Sequence, residues 1–191
     1  MTLKTKTLNR TIFFHQEEND GCSVDYKTVS NFIKDLYELN LENSKPIDIY
    51  LINVDGGDWG FGMSMYSDIR NSDSPITIYG SGLIGSMGTI IMQAAGLRFL
   101  CKDTFYLVHT GSFSFDGEAK CGIAWAELNK LMYKKMIEIY AARCINGEYF
   151  KERSSSLSKV KSYLDQKIKT KTDWYMTAEE AVYMGFADGI Y

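Results

Sequence analysis

Short β-rich runs and helix-like stretches alternate along this chain, and this alternation constrains the possible folds more than any other feature of the sequence. A β-rich run at residues 47–52 precedes an amphipathic stretch at 61–70, and the next β-rich run occupies 76–79. A strand, a helix and a strand in that order form a βαβ unit, whose strands lie parallel in one sheet. The chain opens in the same way, with a strand at 11–14 and a helix at 26–41. We therefore predict an α/β fold of repeated βαβ units.

The pattern continues through the second half of the chain. The predicted elements there are a glycine-rich link at 80–88, a buried helix at 89–97, a strand at 105–109, the longest helix at 118–143, a weaker and mostly exposed helix at 149–171, and a capped short helix with a final strand at 177–190.

The size of the chain fits one domain. It has 191 residues, 45% of them hydrophobic, which suffices for a single core over residues 1–191. The formal net charge of -3 comes from interspersed acidic and basic residues, so a nucleic acid partner is not expected. The N-terminus is followed by no long apolar run, so we expect a cytoplasmic protein without a membrane partner.

Cysteine and histidine usage argues against a metal or redox centre. The four cysteines, Cys22, Cys101, Cys121 and Cys144, lie far apart and form no C-x-x-C pair. We predict that they are reduced packing residues. There are only two histidines, so a multi-histidine metal site is not expected, and neither is a cofactor.

Ser86 is the candidate nucleophile. A serine hydroxyl needs a base, a group that orients the base, and amide donors for the developing oxyanion. Ser86 lies in a glycine-rich turn before an apolar helix, which would leave the N–H of Met87 free to donate. The turn at Gly56 and Gly57 offers a second donor.

His109 and Asp173 are the candidate base and orienting group. His109 ends a predicted strand, at the edge where open α/β sheets place their ligands. Asp173 precedes Trp174 and Tyr175, which we expect to shield its carboxylate and strengthen its bond to the imidazole.

Each of these residues also has a purely structural interpretation. Ser86 would be a helix cap, His109 a half-buried structural residue, and Asp173 a turn residue or N-cap. Gly56 and Gly57 would form only a tight turn.

The order Ser, His, Asp and the residues around it resemble the ClpP proteolytic subunits, over residues 11–191. The motifs that carry the resemblance are Ile49-Tyr50-Leu51-Ile52-Asn53-x-x-Gly56-Gly57, Gly85-Ser86-Met87-Gly88, Arg98-Phe99, Val108-His109 and Asp173-x-x-Met176-Thr177-Ala178-Glu179-Glu180-Ala181-x-x-x-Gly185-x-x-Asp188. The resemblance implies a catalytic triad of Ser86, His109 and Asp173, and an oxyanion hole formed by Gly57 and Met87. It also implies that extended substrates add as a strand beside Phe113, Ser114 and Phe115.

The same resemblance implies a fold and an assembly. The fold would be a spiral of βαβ units with a long protruding handle helix from residue 118. The subunits would form stacked heptameric rings, which enclose the active sites and receive unfolded polypeptides from a Clp-family unfoldase ATPase.

This sequence departs from the family pattern at several points. Val54 and Asp55 replace the Ser-Pro before the glycine pair, and Thr110-Gly111 replaces the Gln-Pro after the histidine. Lys171-Thr172 replaces the Asp-Arg pair before Asp173, and residues 149–171 contain an insertion. The segment before the first strand is also short. These departures are those expected of a divergent, phage-encoded member.

Two alternatives to the serine peptidase remain open from the sequence. One is an acyl-CoA enzyme of the crotonase kind, which also uses turn amides as an oxyanion hole but relies on carboxylates. The other is a non-catalytic or regulatory ring subunit, against which a complete triad argues.

Overall fold

The computed structural model describes residues 9–15, 23–112 and 116–191, which form one seven-stranded sheet with helices packed against it. The strands are β1 (Thr11–His15), β2 (Ile47–Val54), β3 (Ile76–Gly85), β4 (Leu97–Leu100), β5 (Phe105–His109), β6 (Asp173–Thr177) and β7 (Gly189–Ile190). The helices are α1 (Tyr26–Glu42), α2 (Trp59–Arg70), α3 (Met87–Met92), α4 (Ala119–Cys144), α5 (Glu148–Glu152), α6 (Leu157–Lys171) and α7 (Ala178–Met184).

The sheet has the parallel strand arrangement that repeated βαβ units predict. Strands β1, β2, β3, β4 and β7 lie side by side in that order, each parallel to its neighbour. The long strand β3 forks, because its first half pairs with β4 and its last residues pair with β5. β5 then pairs with β6 in the antiparallel direction. This topology confirms the predicted α/β fold, and it brings the ends of β3 and β5 together.

Helix α4 is the long helix that the sequence predicts. It spans 26 residues, and its buried side chains begin only at Met136. All residues from 119 to 135 are exposed or partly buried, so this half of the helix projects from the domain as a handle.

The prediction was wrong where glycines interrupt the pattern. Residues 80–85 are not a link but the second half of β3, because pairing of Leu83 to Gly85 with β5 outweighs the low strand propensity of glycine. Helix α3 is accordingly shorter than predicted and ends at Met92. Residues 97–100, expected to lie at the end of that helix and beyond it, form strand β4.

Helix α6 is mostly exposed, as predicted, but one of its faces is fully buried. Val160, Leu164 and Ile168 lie four residues apart on one face, and all three are fully buried. This face packs against α4 and against β5 and β6. The inserted segment is therefore an integral part of the core.

The cysteine prediction is only partly met. Cys144 is buried and Cys101 is partly buried, but Cys121 is exposed on the handle half of α4 and is no packing residue there. Cys22 lies outside the described residues. Among the helices in the described part of the chain, none has the length and apolar character needed to cross a bilayer.

Candidate active site

Ser86 stands at a strained turn between β3 and α3. Its backbone angles are φ 49° and ψ -123°, and a positive φ is unusual for a residue with a side chain. Although Ser86 occupies the N-cap position of α3, its side chain makes no capping hydrogen bond. The interpretation of Ser86 as a helix cap is therefore wrong. Strain at a sharp strand-to-helix turn that presents a serine is typical of a nucleophile.

The backbone of Ser86 is fixed on both sides. Its amide donates to the carbonyl of Leu107 in β5, at 3.0 Å. Its carbonyl accepts from the amide of Thr89 at 3.0 Å and from the Thr89 hydroxyl at 2.5 Å. The Thr89 hydroxyl also lies 2.6 Å from the hydroxyl of Tyr140 in α4. Burial raises the pKa of Tyr140, so its hydroxyl stays protonated and can donate to Thr89.

The turn at Gly56 and Gly57 lies directly against the nucleophile. A Cβ atom on Gly56 would come within 2.5 Å of the Ser86 Cβ and 3.1 Å of the Met87 amide nitrogen. Both glycines have backbone angles that disfavour other residues, with φ 122° and 145°. The structure thus places Gly56, the neighbour of the predicted donor Gly57, against both Ser86 and the Met87 amide.

The two amides donate no backbone hydrogen bond among those found around the turn in the described residues. Met87 is the first residue of α3, so its N–H has no acceptor within the helix. Val24 and Gly57 form an isolated β-bridge, in which the Val24 amide donates to the Gly56 carbonyl and the Asp58 amide donates to the Val24 carbonyl. The Gly57 amide takes no part in these two hydrogen bonds.

His109 and Asp173 face each other across two antiparallel strands. They are directly paired in the register of β5 and β6, and the His109 Nδ1 lies 3.6 Å from the Asp173 Oδ1. The other ring nitrogen, Nε2, is buried and has no hydrogen-bond partner among the described residues. A buried nitrogen without a partner is costly, and such atoms are more typical of functional sites than of cores.

His109 and Asp173 lie close together, but the three side chains do not form a closed hydrogen-bonded triad. A distance of 3.6 Å is longer than an N–H···O hydrogen bond, and His109 Nε2 accepts no hydrogen bond from Ser86. Catalytic hydrogen bonds are often long in proteins without substrate and tighten when substrate binds.

The expected shielding of Asp173 was wrong. Its side chain is 54% exposed. Successive side chains of a strand point to opposite faces, so Trp174 turns into the core against Phe186 while Asp173 and Tyr175 face outward.

Sequence reasoning missed two residues of the site. Gly56 was named only as part of the donor turn, but it is the glycine that lies against Ser86, and the paired glycines were the available signal. Thr89 holds the Ser86 carbonyl, and its place three residues after Ser86 was the only sign of that role. The predicted substrate contacts Phe113, Ser114 and Phe115 lie outside the described residues.

Comparisons with known proteins agree on one family. The Clp protease family profile matches residues 4–191. The ATP-dependent Clp protease proteolytic subunit 1 of Chlamydia abortus is 27% identical over 186 residues, which cover 95% of this chain and 85% of that protein. The proteins of the same name from Chlamydia trachomatis serovar D and Chlamydia pneumoniae are 27% and 28% identical, with 95% of this chain and 86% of each protein covered. Because the profile spans almost every residue from the first strand to the last, this chain belongs to the Clp protease family.

Proposed function

We propose that this chain is a serine endopeptidase subunit that cleaves unfolded polypeptides, with Ser86 as nucleophile, His109 as base and Asp173 as the group that orients the base. Membership of the Clp protease family supports the peptidase class. The observation that carries the assignment to Ser86 is its strained, uncapped position against Gly56 and the free Met87 amide.

The proposed reaction uses the groups in this order. Ser86 Oγ attacks the carbonyl carbon of the peptide bond, and its proton passes to His109 Nε2. The amides of Gly57 and Met87 donate to the oxyanion of the tetrahedral intermediate. When the intermediate collapses, the C–N bond breaks and the proton on Nε2 passes to the leaving amine. Water then hydrolyses the acyl-enzyme by the same proton transfers.

Asp173 acts on the imidazole through Nδ1. A carboxylate there holds the ring in the tautomer whose Nε2 can accept a proton, and it stabilises the imidazolium that forms. We further propose that extended substrates add as a strand beside Phe113, Ser114 and Phe115.

A fluorophosphonate probe tests this assignment. We expect the probe to label the assembled protein at Ser86, identified by mass spectrometry of the labelled peptide, because it reacts only with an activated serine. Ser86→Ala should abolish labelling, and His109→Ala should slow it strongly. Equal labelling of Ser86→Ala would contradict the proposal, and an unlabelled wild-type protein would favour the non-catalytic ring subunit instead. The crotonase-type alternative predicts binding of coenzyme A thioesters and no need for Ser86.

We also propose that copies of this chain form stacked heptameric rings that work with a Clp-family unfoldase. The relatives above carry the name of an ATP-dependent protease subunit, which supports a partner ATPase. The handle half of α4 supports the assembly, because it exposes Ile123, Trp125, Leu128 and Leu131. A contiguous set of exposed apolar side chains is characteristic of an interface.

A charge placed on the handle should weaken this assembly. Leu128→Glu is expected to shift native mass spectra from the full particle to smaller species, because burying a carboxylate in an apolar contact costs several kcal/mol. Leu157→Glu is the matched control, since Leu157 on α6 has nearly the same exposure, 43% against 44%. If both variants assemble like the wild type, α4 is not the contact.

A further inference from the structure

Asp55 occupies the position just before the glycine turn of the site. It follows the last residue of β2 and precedes Gly56 and Gly57, whose positive φ angles give this turn little intrinsic preference for one conformation. An oxyanion hole is effective only when its amides are held in place before the reaction. The turn therefore needs restraints from residues outside it.

One such restraint is a reciprocal pair of hydrogen bonds between Asp55 and Ser23. The Ser23 hydroxyl donates to the Asp55 Oδ1 at 2.6 Å, and the Asp55 amide donates to the Ser23 hydroxyl at 3.2 Å. The Ser23 amide also donates to the same carboxylate oxygen, at 3.3 Å. Ser23 is fully buried and Asp55 is exposed, so these bonds are part-buried and are shielded from water on the Ser23 side only. We call this pair the Ser23–Asp55 latch.

Backbone hydrogen bonds also hold the residues that follow Ser23 and Asp55 in the sequence. The Val24 amide donates to the Gly56 carbonyl at 2.8 Å, and the Asp58 amide donates to the Val24 carbonyl at 2.8 Å. Residues 23 and 24 thus lie along one side of the turn. Ser86 and Met87 also lie against this turn, within contact distance of a Cβ built on Gly56.

The segment that carries Ser23 is itself anchored to α1. The Ser23 carbonyl accepts from the Thr28 hydroxyl at 2.9 Å. Asp25 and Thr28 form a capping box at the start of the helix, with the Thr28 amide donating to the Asp25 Oδ1 at 2.8 Å. The N-terminus of α1 is therefore a fixed platform to which the turn is tied.

From these contacts we infer that Ser23 and Asp55 are positioning residues for the oxyanion hole. Neither touches the reacting atoms. They act through Gly56 and Gly57, by holding the turn at the distance from Ser86 at which the Gly57 amide meets the oxyanion. This inference rests on the proposed function, and it assigns to Asp55 a role that does not require the proline it replaces in the family pattern.

The test compares Asp55→Ala and Ser23→Ala with the wild type in the hydrolysis of a short fluorogenic peptide. We expect kcat to fall by about 10- to 100-fold with KM changed by less than about 3-fold, because a displaced amide weakens the transition state and not substrate binding. Affinity for a peptide boronate, whose tetrahedral adduct places an oxygen in the same hole, should fall by a similar factor. Asp55→Asn keeps an acceptor oxygen and should recover most of the activity.

Ser74→Ala is the matched control. Ser74 is also a buried serine with side-chain hydrogen bonds, to Asn40 and Arg10, but it precedes β3, whereas Ser86 follows it. The control should keep wild-type kcat and boronate affinity even if it loses stability.

Hydrogen exchange separates failure of the latch from failure of the proposed function. Asp55→Ala should increase amide exchange in the peptide spanning residues 55–58, whether or not the protein is catalytic. Unchanged exchange together with kcat within about 2-fold of wild type would overturn the latch. A wild-type protein with no labelling at Ser86 would overturn the proposed function, and the catalytic role of the latch with it, even if exchange in the turn increases.

Discussion

Ser86→Ala is expected to lower kcat for peptide hydrolysis by about 10⁴-fold or more, because the variant has no nucleophile and keeps only the oxyanion donors and substrate binding. The fold should not change, since the Ser86 side chain makes no capping hydrogen bond to α3. Single-turnover and steady-state kinetics on one fluorogenic peptide measure the effect, and thermal unfolding checks the fold.

The matched control for this prediction is Ser81→Ala. Ser81 lies in the same strand, β3, but outside the turn that presents the nucleophile. We expect its kcat to stay within about 3-fold of the wild type, as for most substitutions away from a site. If Ser86→Ala retained a tenth of wild-type kcat, another residue would be the nucleophile.

Gly56→Ala is expected to cause the second largest loss, about 10²- to 10³-fold in kcat, the amount typical for removal of an oxyanion donor. The added methyl group would lie 2.5 Å from the Ser86 Cβ, so either the turn or the nucleophile must move. The φ of 122° adds backbone strain. KM should change less than kcat, because the displaced amide serves mainly the tetrahedral intermediate.

Gly82→Ala separates the steric effect from the strain. Gly82 also has a positive φ, of 75°, but a Cβ there would meet its nearest neighbour, Asn53, at an ordinary 3.4 Å. This control should lose stability and keep most of its activity. Equal losses of kcat in the two variants would show that backbone strain, and not contact with Ser86, explains the effect of Gly56→Ala.

The sequence predicted those helices and strands whose own residues show a clear helical or alternating pattern. The alternating apolar residues of β2 and the helical period of α1 and α4 are properties of contiguous residues, so their positions were found closely. The strand character of residues 80–85 was missed because it comes from pairing with β5 and not from the glycines. Strand β6 was missed for the same reason, since its partner is also β5.

In the site, too, features set by neighbouring residues were predicted and features set by distant residues were not. Ser86 and His109 stand in short motifs, and the structure places Ser86 in a strained turn next to β5, the strand that His109 ends. The exposure of Asp173 depends on which face of β6 meets the core, and the sequence did not predict that strand. The sequence could not predict the inferred role of Asp55, because its partner Ser23 lies in a different part of the chain. From the sequence, Val54-Asp55 was only a departure from the family pattern.

The pairing of β5 with β6 has a consequence for how the protein folds. It joins residues 105–109 to residues 173–177 across the whole of α4, α5 and α6, so a long loop must close before the pair can form. The β2–β3 and β3–β4 pairings close much shorter loops and should form earlier on the folding pathway. Asp173 would then reach His109 only after these shorter-range pairings have formed. During synthesis residue 86 emerges well before residue 173, so a chain that has not yet reached β6 lacks the carboxylate that we propose orients His109.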